Sequence, residues 1–235
     1  MTTSHPVAPE LDRLPRTLSL AVHELRTPLA VASGYLRMLL REQAGAVTDQ
    51  QRKMLEETAK SCARMGALIA EMSELESVEA GDMIVPGVSF DLAALIVELG
   101  ARLTEGEDRG VCLEVRASGP VQVIGDRVRL GAVVKALMLA TLQERDEPGV
   151  IVVECSMLSD TGRTWGIVTI GDETTTPLLL DVARDVPRHF DEWREGLGFA
   201  LPVGRRVVEA HGGAMWSAPA DARRTGSALR LPLAP

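Results

Sequence analysis

From Leu11 to Leu40 apolar residues return every seven positions. Leu11, Leu18, Leu25, Ala32 and Leu39 form one row, and Leu14, Ala21, Val22, Leu29 and Leu36 fill a second. This is the repeat of a long helix that buries a stripe against another helix. Pro15 is tolerated only in the first turn of such a helix. Pro28 removes a backbone donor and is expected to bend the run without ending it. After a turn around residues 45–49, Leu55, Cys62, Met65, Ile69, Met72 and Leu75 repeat the pattern, which predicts a second, antiparallel helix. A lone hairpin of this size leaves much of its stripe in water, so the expectation is a homodimer whose two hairpins form a four-helix bundle.

The helical pattern runs through residues 73–80, and Gly81, Pro86 and Gly87 then break it. A first domain is therefore expected over residues 1–80 and a second over residues 88–235. In the second, a helix at 91–103 precedes strands at 111–115 and 121–124 and an apolar helix at 127–142. Strands at 150–153 and 165–170, an irregular stretch, a helix at 197–210 and strands at 214–216 and 228–231 complete it. Elements mixed in this order give an α+β sandwich.

At 235 residues and 46% apolar content the chain can build a real core. A net charge of −8 without basic clusters excludes a nucleic-acid backbone as partner. Cys62, Cys112 and Cys155 lack metal-ligand spacing. An odd cysteine count without a signal peptide implies reduced thiols and a cytoplasmic location. No apolar run reaches the ~20 residues that span a bilayer.

Residues 23–29 read His-Glu-Leu-Arg-Thr-Pro-Leu. With a stripe through Leu25 facing a core, His23 lies on the solvent side and Thr27, one turn on, shares its face. A histidine beside a carboxylate on a helix suits phosphoryl chemistry on an imidazole. All seven positions match the H-box of bacterial sensor histidine kinases, which this segment closely resembles. The resemblance implies that His23 accepts a phosphoryl group through a neutral ring nitrogen and that Glu24 orients or deprotonates the ring. Arg26 would meet phosphate or partner charge, and Thr27 occupies the position of a water-orienting residue that dephosphorylates the receiver. Kinases of this family commonly carry a membrane sensor before the H-box. Here the H-box lies near the start of the chain, so the signal is expected to come from another protein, an upstream kinase or sensor.

The second half resembles the ATP-binding domain of the same family, most clearly at Gly196-Leu197-Gly198-Phe199-Ala200-Leu201 and Glu209-Ala210-His211-Gly212-Gly213. In the family this glycine box opens a helix beside backbone amides that hold phosphates, so Gly196 and Gly198 are candidate cofactor-binding residues. Other motifs depart from the pattern. The N-box asparagines fall at Ala136 and Ala140, which offer no oxygen to magnesium. The first glycine box aligns with Asp172-Glu173-Thr174-Thr175-Thr176. Asp172 keeps the register of the aspartate that reads adenine, but both glycines are gone. His189-Phe190-Asp191-Glu192-Trp193 resembles the phenylalanine box, and only residues 191–195 separate Phe190 from Gly196, too few for a lid over phosphates.

Phosphoryl transfer from ATP needs metal neutralisation and a positioned γ-phosphate. Neither ATP nor magnesium is therefore expected as a working cofactor, and no other metal site is read. Some two-helix histidine phosphotransferases carry such a degenerate kinase-like domain, and the chain resembles them. The implied function is phosphoryl exchange between His23 and the aspartate of a response-regulator receiver domain, using the receiver's own magnesium, with dephosphorylation of that receiver. Two alternatives stay open: an ATP-dependent autokinase fed by a separate sensor, and a non-catalytic docking module for a kinase or regulator. Glu24 and Thr27 beside His23 favour the first two, and Ala136 and Ala140 favour phosphotransfer over autokinase activity. Trp165, Trp193, Trp216, His189 and His211 read as packing or capping residues.

Overall fold

The computed structural model describes residues 13–80, 83–160, 162–183, 189–194, 196–218 and 226–234. It divides into two compact units, residues 1–81 and 82–235. Leu11 and Gly81 lie outside the described residues, as do the side chains of Leu14, Pro15 and Leu18.

The first unit is a hairpin of α1 (Arg13–Leu40) and α2 (Asp49–Glu79). Thr48 caps α2: its hydroxyl accepts the Gln51 N–H at 3.2 Å, and the Gln51 carbonyl oxygen accepts the Thr48 N–H at 2.9 Å. Helix α1 stops where Glu42 turns left-handed at φ 57°. There the Gln43 N–H reaches the Met38 carbonyl at 3.0 Å and the Glu42 N–H the Leu39 carbonyl at 2.9 Å, the paired bonds of a Schellman end. Arg52 fastens that end to α2 by donating to the Leu40 carbonyl at 3.1 Å and to the Glu42 carboxylate at 2.5 Å.

The row that faces the other helix corrects the expected seam. Val22 is buried and Leu29 and Leu36 half-buried, against buried Cys62 and Ile69 of α2, with Gly66 close beneath the Leu29 side chain. Leu25, by contrast, is 51% exposed and Ala32 is exposed. At 100° per residue, the row through Leu25 stands about 60° round the helix from the row through Val22. One hairpin buries only one of the two rows. Pro28 sits inside α1, which continues through it.

The second unit is an α+β sandwich with helices on both faces of its main sheet. Its elements are β1 (Ser89–Asp91), α3 (Leu92–Gly100), β2 (Val111–Ala117), β3 (Gln122–Ile124), α4 (Arg127–Glu144), β4 (Gly149–Asp160), β5 (Arg163–Gly171), α5 (Thr175–Val182), α6 (Ala200–Ala210), β6 (Ala214–Ser217) and β7 (Gly226–Pro232). The main sheet runs β2-β4-β5-β7-β6, with β2 parallel to β4 and the other pairs antiparallel, while β1 pairs with β3. Alternation along the strands gives each face its own helices. On one face Leu231 lies near Val208 of α6. On the other, Ile167, Trp216 and Ala228 form a small core with Leu179 and Ala183, and the Trp216 indole donates to the Leu179 carbonyl at 3.0 Å.

Three expectations are corrected. Asp91 is the cap of α3 rather than its first residue, its carboxylate accepting the Ala93 and Val121 N–H groups at 3.0 Å each. The helix ends at Gly100 instead of residue 103, where a Cβ would strike Val115 of the neighbouring strand. The stretch expected to be irregular contains α5, whose start is held by Asp172. Helix α6 begins at Ala200, three residues later than expected.

Candidate functional site

His23 projects from α1 with 78% of its side chain exposed, and Glu24 is 73% exposed with Oε1 3.8 Å from His23 Nδ1. That is the outer limit of an ion pair, in full contact with water, so Glu24 can orient the ring but adds little to folding. Thr27 is exposed one turn further on. Pro28 has no N–H, which leaves the Glu24 carbonyl without its usual helical donor. Arg26 turns toward α2 and donates to Ser73 Oγ at 2.9 Å, and Ser73 Oγ donates to the Ile69 carbonyl at 3.0 Å. Ser73 was not legible as a site residue, because a serine that bonds back four residues is ordinary in a helix. The turn thus brings together an open imidazole, a carboxylate, a hydroxyl and a tethered guanidinium.

The residues of the second unit singled out in sequence lie on α4, in the turn after β5 and in the segment before α6. Ala136 and Ala140 are buried on α4. Gly196 and Gly198 adopt left-handed φ values of 83° and 57°, which glycine alone meets without strain. A Cβ on Gly196 would stand 3.3 Å from the Gln143 side chain of α4. Asp172 is turned inward on its own loop. Its Oδ1 accepts the N–H and hydroxyl of Thr174 at 2.9 and 2.7 Å and those of Thr175 at 2.7 and 2.8 Å. Its Oδ2 lies 3.8 Å from the Arg145 guanidinium. Burial pushes the carboxyl up, but these hydrogen bonds outweigh it and hold the pKa below the ordinary carboxylate value.

Arg194, which carried no signal in the sequence, has its side chain only 5% exposed. Its Nε lies 3.3 Å from Glu144 Oε1, and its Nη2 donates to Ser217 Oγ at 3.0 Å and Ser227 Oγ at 2.7 Å. The guanidinium stands 5.8 Å over the buried Phe190 ring. His211 has a structural place. Its Nε2 accepts the Asp126 N–H at 2.9 Å, so Nδ1 carries the proton toward the Val207 carbonyl at 2.7 Å, tying the end of α6 to the start of α4. Trp193 is 67% exposed, edge-on to Phe199.

Residues 16–81 match the model of the His Kinase A (phospho-acceptor) domain. Over 201 residues, 81% of this chain and 22% of the relative, the sequence is 27% identical to the signal transduction histidine-protein kinase BarA of Escherichia coli K12. The hairpin carries the phospho-acceptor domain of histidine kinases, and the chain as a whole is similar to the two-component histidine kinase family. Within that family it is also 27% identical to the histidine-protein kinase BaeS of Escherichia coli K12, over 90% of this chain and 45% of BaeS. It is 26% identical to the sensor protein DivL of Caulobacter vibrioides, over 87% of this chain and 26% of DivL. The chain therefore spans less than half the length of these curated relatives. Full-length ShkA, solved in complex with AMPPNP, superposes with a TM-score of 0.71 at 20% identity over 94% of this chain and 46% of that one. The Acinetobacter baumannii histidine kinase AdeS superposes with a TM-score of 0.58 at 18% identity, over 91% of this chain and 98% of AdeS. These likenesses are of fold: a histidine-bearing hairpin followed by an ATPase-like α+β domain. Among the described residues no helix is long and apolar enough to cross a membrane.

Proposed function

We propose that this chain is a phosphotransfer protein in which His23 exchanges a phosphoryl group with the aspartate of a response-regulator receiver, without using ATP. The contrast between the two sites carries the proposal. The His23 turn presents its groups to solvent, whereas in the second unit Asp172 is taken up by Thr174 and Thr175 and Arg194 by Glu144, Ser217 and Ser227.

In the forward step the lone pair of His23 Nε2 attacks the phosphorus of the receiver's aspartyl phosphate. The N–P bond forms as the P–O bond to the carboxylate breaks, and transfer back reverses it. Glu24, beside Nδ1, holds the Nδ1–H tautomer that leaves Nε2 free. Thr27 orients the water that hydrolyses the aspartyl phosphate. Magnesium and ATP do not fit the second unit: Ala136 and Ala140 offer no ligand oxygen, and Oδ1 of Asp172, in the register of the adenine reader, already accepts four donors.

A second copy of the chain is the other partner. Leu25 and Ala32 of α1, with Met54 (65% exposed) and Met65 (48% exposed) of α2, fall by helical spacing on one flank of the hairpin, opposite the flank of His23. That apolar flank supports a homodimer with both histidines facing outward. An autokinase remains the second reading, because the named relatives are histidine kinases and ShkA is described with AMPPNP.

A test of Thr27 separates its role from that of His23. Thr27→Ala should leave transfer to His23 intact and slow receiver dephosphorylation by about tenfold or more. Equal phosphatase rates in variant and parent would remove Thr27 from the mechanism.

A further inference from the structure

Ser73 is the polar group beside the His23 turn that the proposed phosphotransfer does not use. At 100° per residue Arg26 stands about 60° round α1 from His23, on the side of Val22 and α2, and three residues apart the two side chains are neighbours. Arg26 Nη2 donates across the hairpin to Ser73 Oγ at 2.9 Å, and Ser73 Oγ donates its own proton to the Ile69 carbonyl at 3.0 Å. That back-bond fixes the hydroxyl and leaves its lone pairs to the guanidinium. Ile69 is buried on α2, so the anchor stands on the hairpin core. Glu71, Glu74 and Glu76 lie within three residues of Ser73. Even so, among the described residues Arg26 forms no ion pair, and Ser73 is its hydrogen-bond partner. A hydroxyl orients the guanidinium fork without cancelling its charge, and most of the donors stay free.

We infer that Ser73 is a positioning residue: it holds the Arg26 guanidinium beside His23 as a charged fork with free donors, ready for the oxygens of a phosphoryl group on Nε2. The inference rests on the reading of His23 as the phospho-acceptor, and deepens it. Charge on a transferring phosphoryl group is spread over its oxygens, and arginine meets such oxygens through paired N–H donors. An untethered arginine on an exposed helix face would lose rotamer freedom each time it did so. Tethered to α2, Arg26 has given up that freedom on folding. A carboxylate at position 73 would also hold the side chain, but it would compete with the phosphoryl group for the charge.

Phosphoramidate is the appropriate probe, because it needs neither a receiver nor magnesium: its P–N bond breaks as the N–P bond to Nε2 forms, and ammonia leaves. Labelling of His23 in the full chain is followed by peptide mass, with His23→Ala as the blank and circular dichroism as the check on folding. Arg26→Ala should slow labelling by about tenfold or more, and Ser73→Ala by about threefold or more, as the loss and the loosening of a positioned donor do. Alanine is the best helix former, so α2 should persist in Ser73→Ala. Ser73→Thr, whose hydroxyl can bond back in the same way, should restore the parent rate. Ser73→Ala added to Arg26→Ala should cost nothing further, because the hydroxyl acts only through the guanidinium. A parent rate in Ser73→Ala, or an alanine-like rate in Ser73→Thr, would overturn the inference. So would an equal loss with and without Arg26, which would assign Ser73 to packing of the hairpin. A parent that takes no label at His23 overturns it as well, since there is then no phosphoryl group to position. If phosphoramidate labels His23 and a phosphorylated receiver does not, the phosphotransfer proposal fails while the anchor is still judged by variant against parent.

Discussion

Asp172 keeps the sequence register of an adenine reader, but its carboxylate starts a helix. Its Oδ1 gathers the donors of Thr174 and Thr175, two of the three threonines that stand in the glycine-box segment. Asp172→Asn should therefore cost about 1 kcal/mol at neutral pH, as loss of a charged helix-start acceptor does. The carboxyl pKa is lowered in the fold. Its contribution is thus complete above the unfolded carboxylate value and is lost as pH falls through the folded one. Denaturant midpoints of variant and parent should differ at pH 7 and converge in acid; a gap that persists in acid would contradict this role. His23 was legible because seven contiguous residues carry its signal, and Ala136 and Ala140 because their chemistry is negative and local. Arg194 was not, since its partners Glu144, Ser217 and Ser227 lie 23 to 50 residues away and a single arginine has no period.

Among the elements, the end of α1 combines a costly conformation with a good bonding pattern. Glu42 at φ 57° occupies a region that disfavours side chains, and its pair with Arg52 is exposed at 37% and 45% on the two sides, a geometry that contributes little. Glu42→Gly should consequently stabilise the hairpin, by up to about 1 kcal/mol. A drop in the thermal midpoint would show that the Arg52 bridge outweighs the backbone relief. Periodicity located both long helices but assigned the inward row to Leu25 instead of Val22, because a heptad pattern with two apolar rows serves two interfaces. It missed α5, whose start, Thr174-Thr175-Thr176-Pro177, has poor helix propensity. Pro177 falls in the first turn, where its missing N–H costs no bond, and contact with Ile167 and Trp216 supplies the rest.

For the whole molecule, the order hairpin then α+β domain was legible, since breaks at Pro86 and Gly87 separate two kinds of periodicity. The network around Arg194 was not, because it is built from side chains far apart in sequence. The apolar flank of Leu25, Ala32, Met54 and Met65 predicts that Leu25→Asp, which sets a carboxylate in the paired interface, yields a monomer by light scattering at micromolar concentration while helical content persists. A parent that is itself monomeric would contradict the bundle. The central claim is that His23 receives phosphate from a receiver and not from ATP. Its most direct test incubates the purified protein with receiver domains radiolabelled on aspartate and, in parallel, with radiolabelled ATP and magnesium. Acid-labile label on His23 from the receiver alone, lost in His23→Ala, is the predicted result; label arriving from ATP in the absence of any receiver would contradict it.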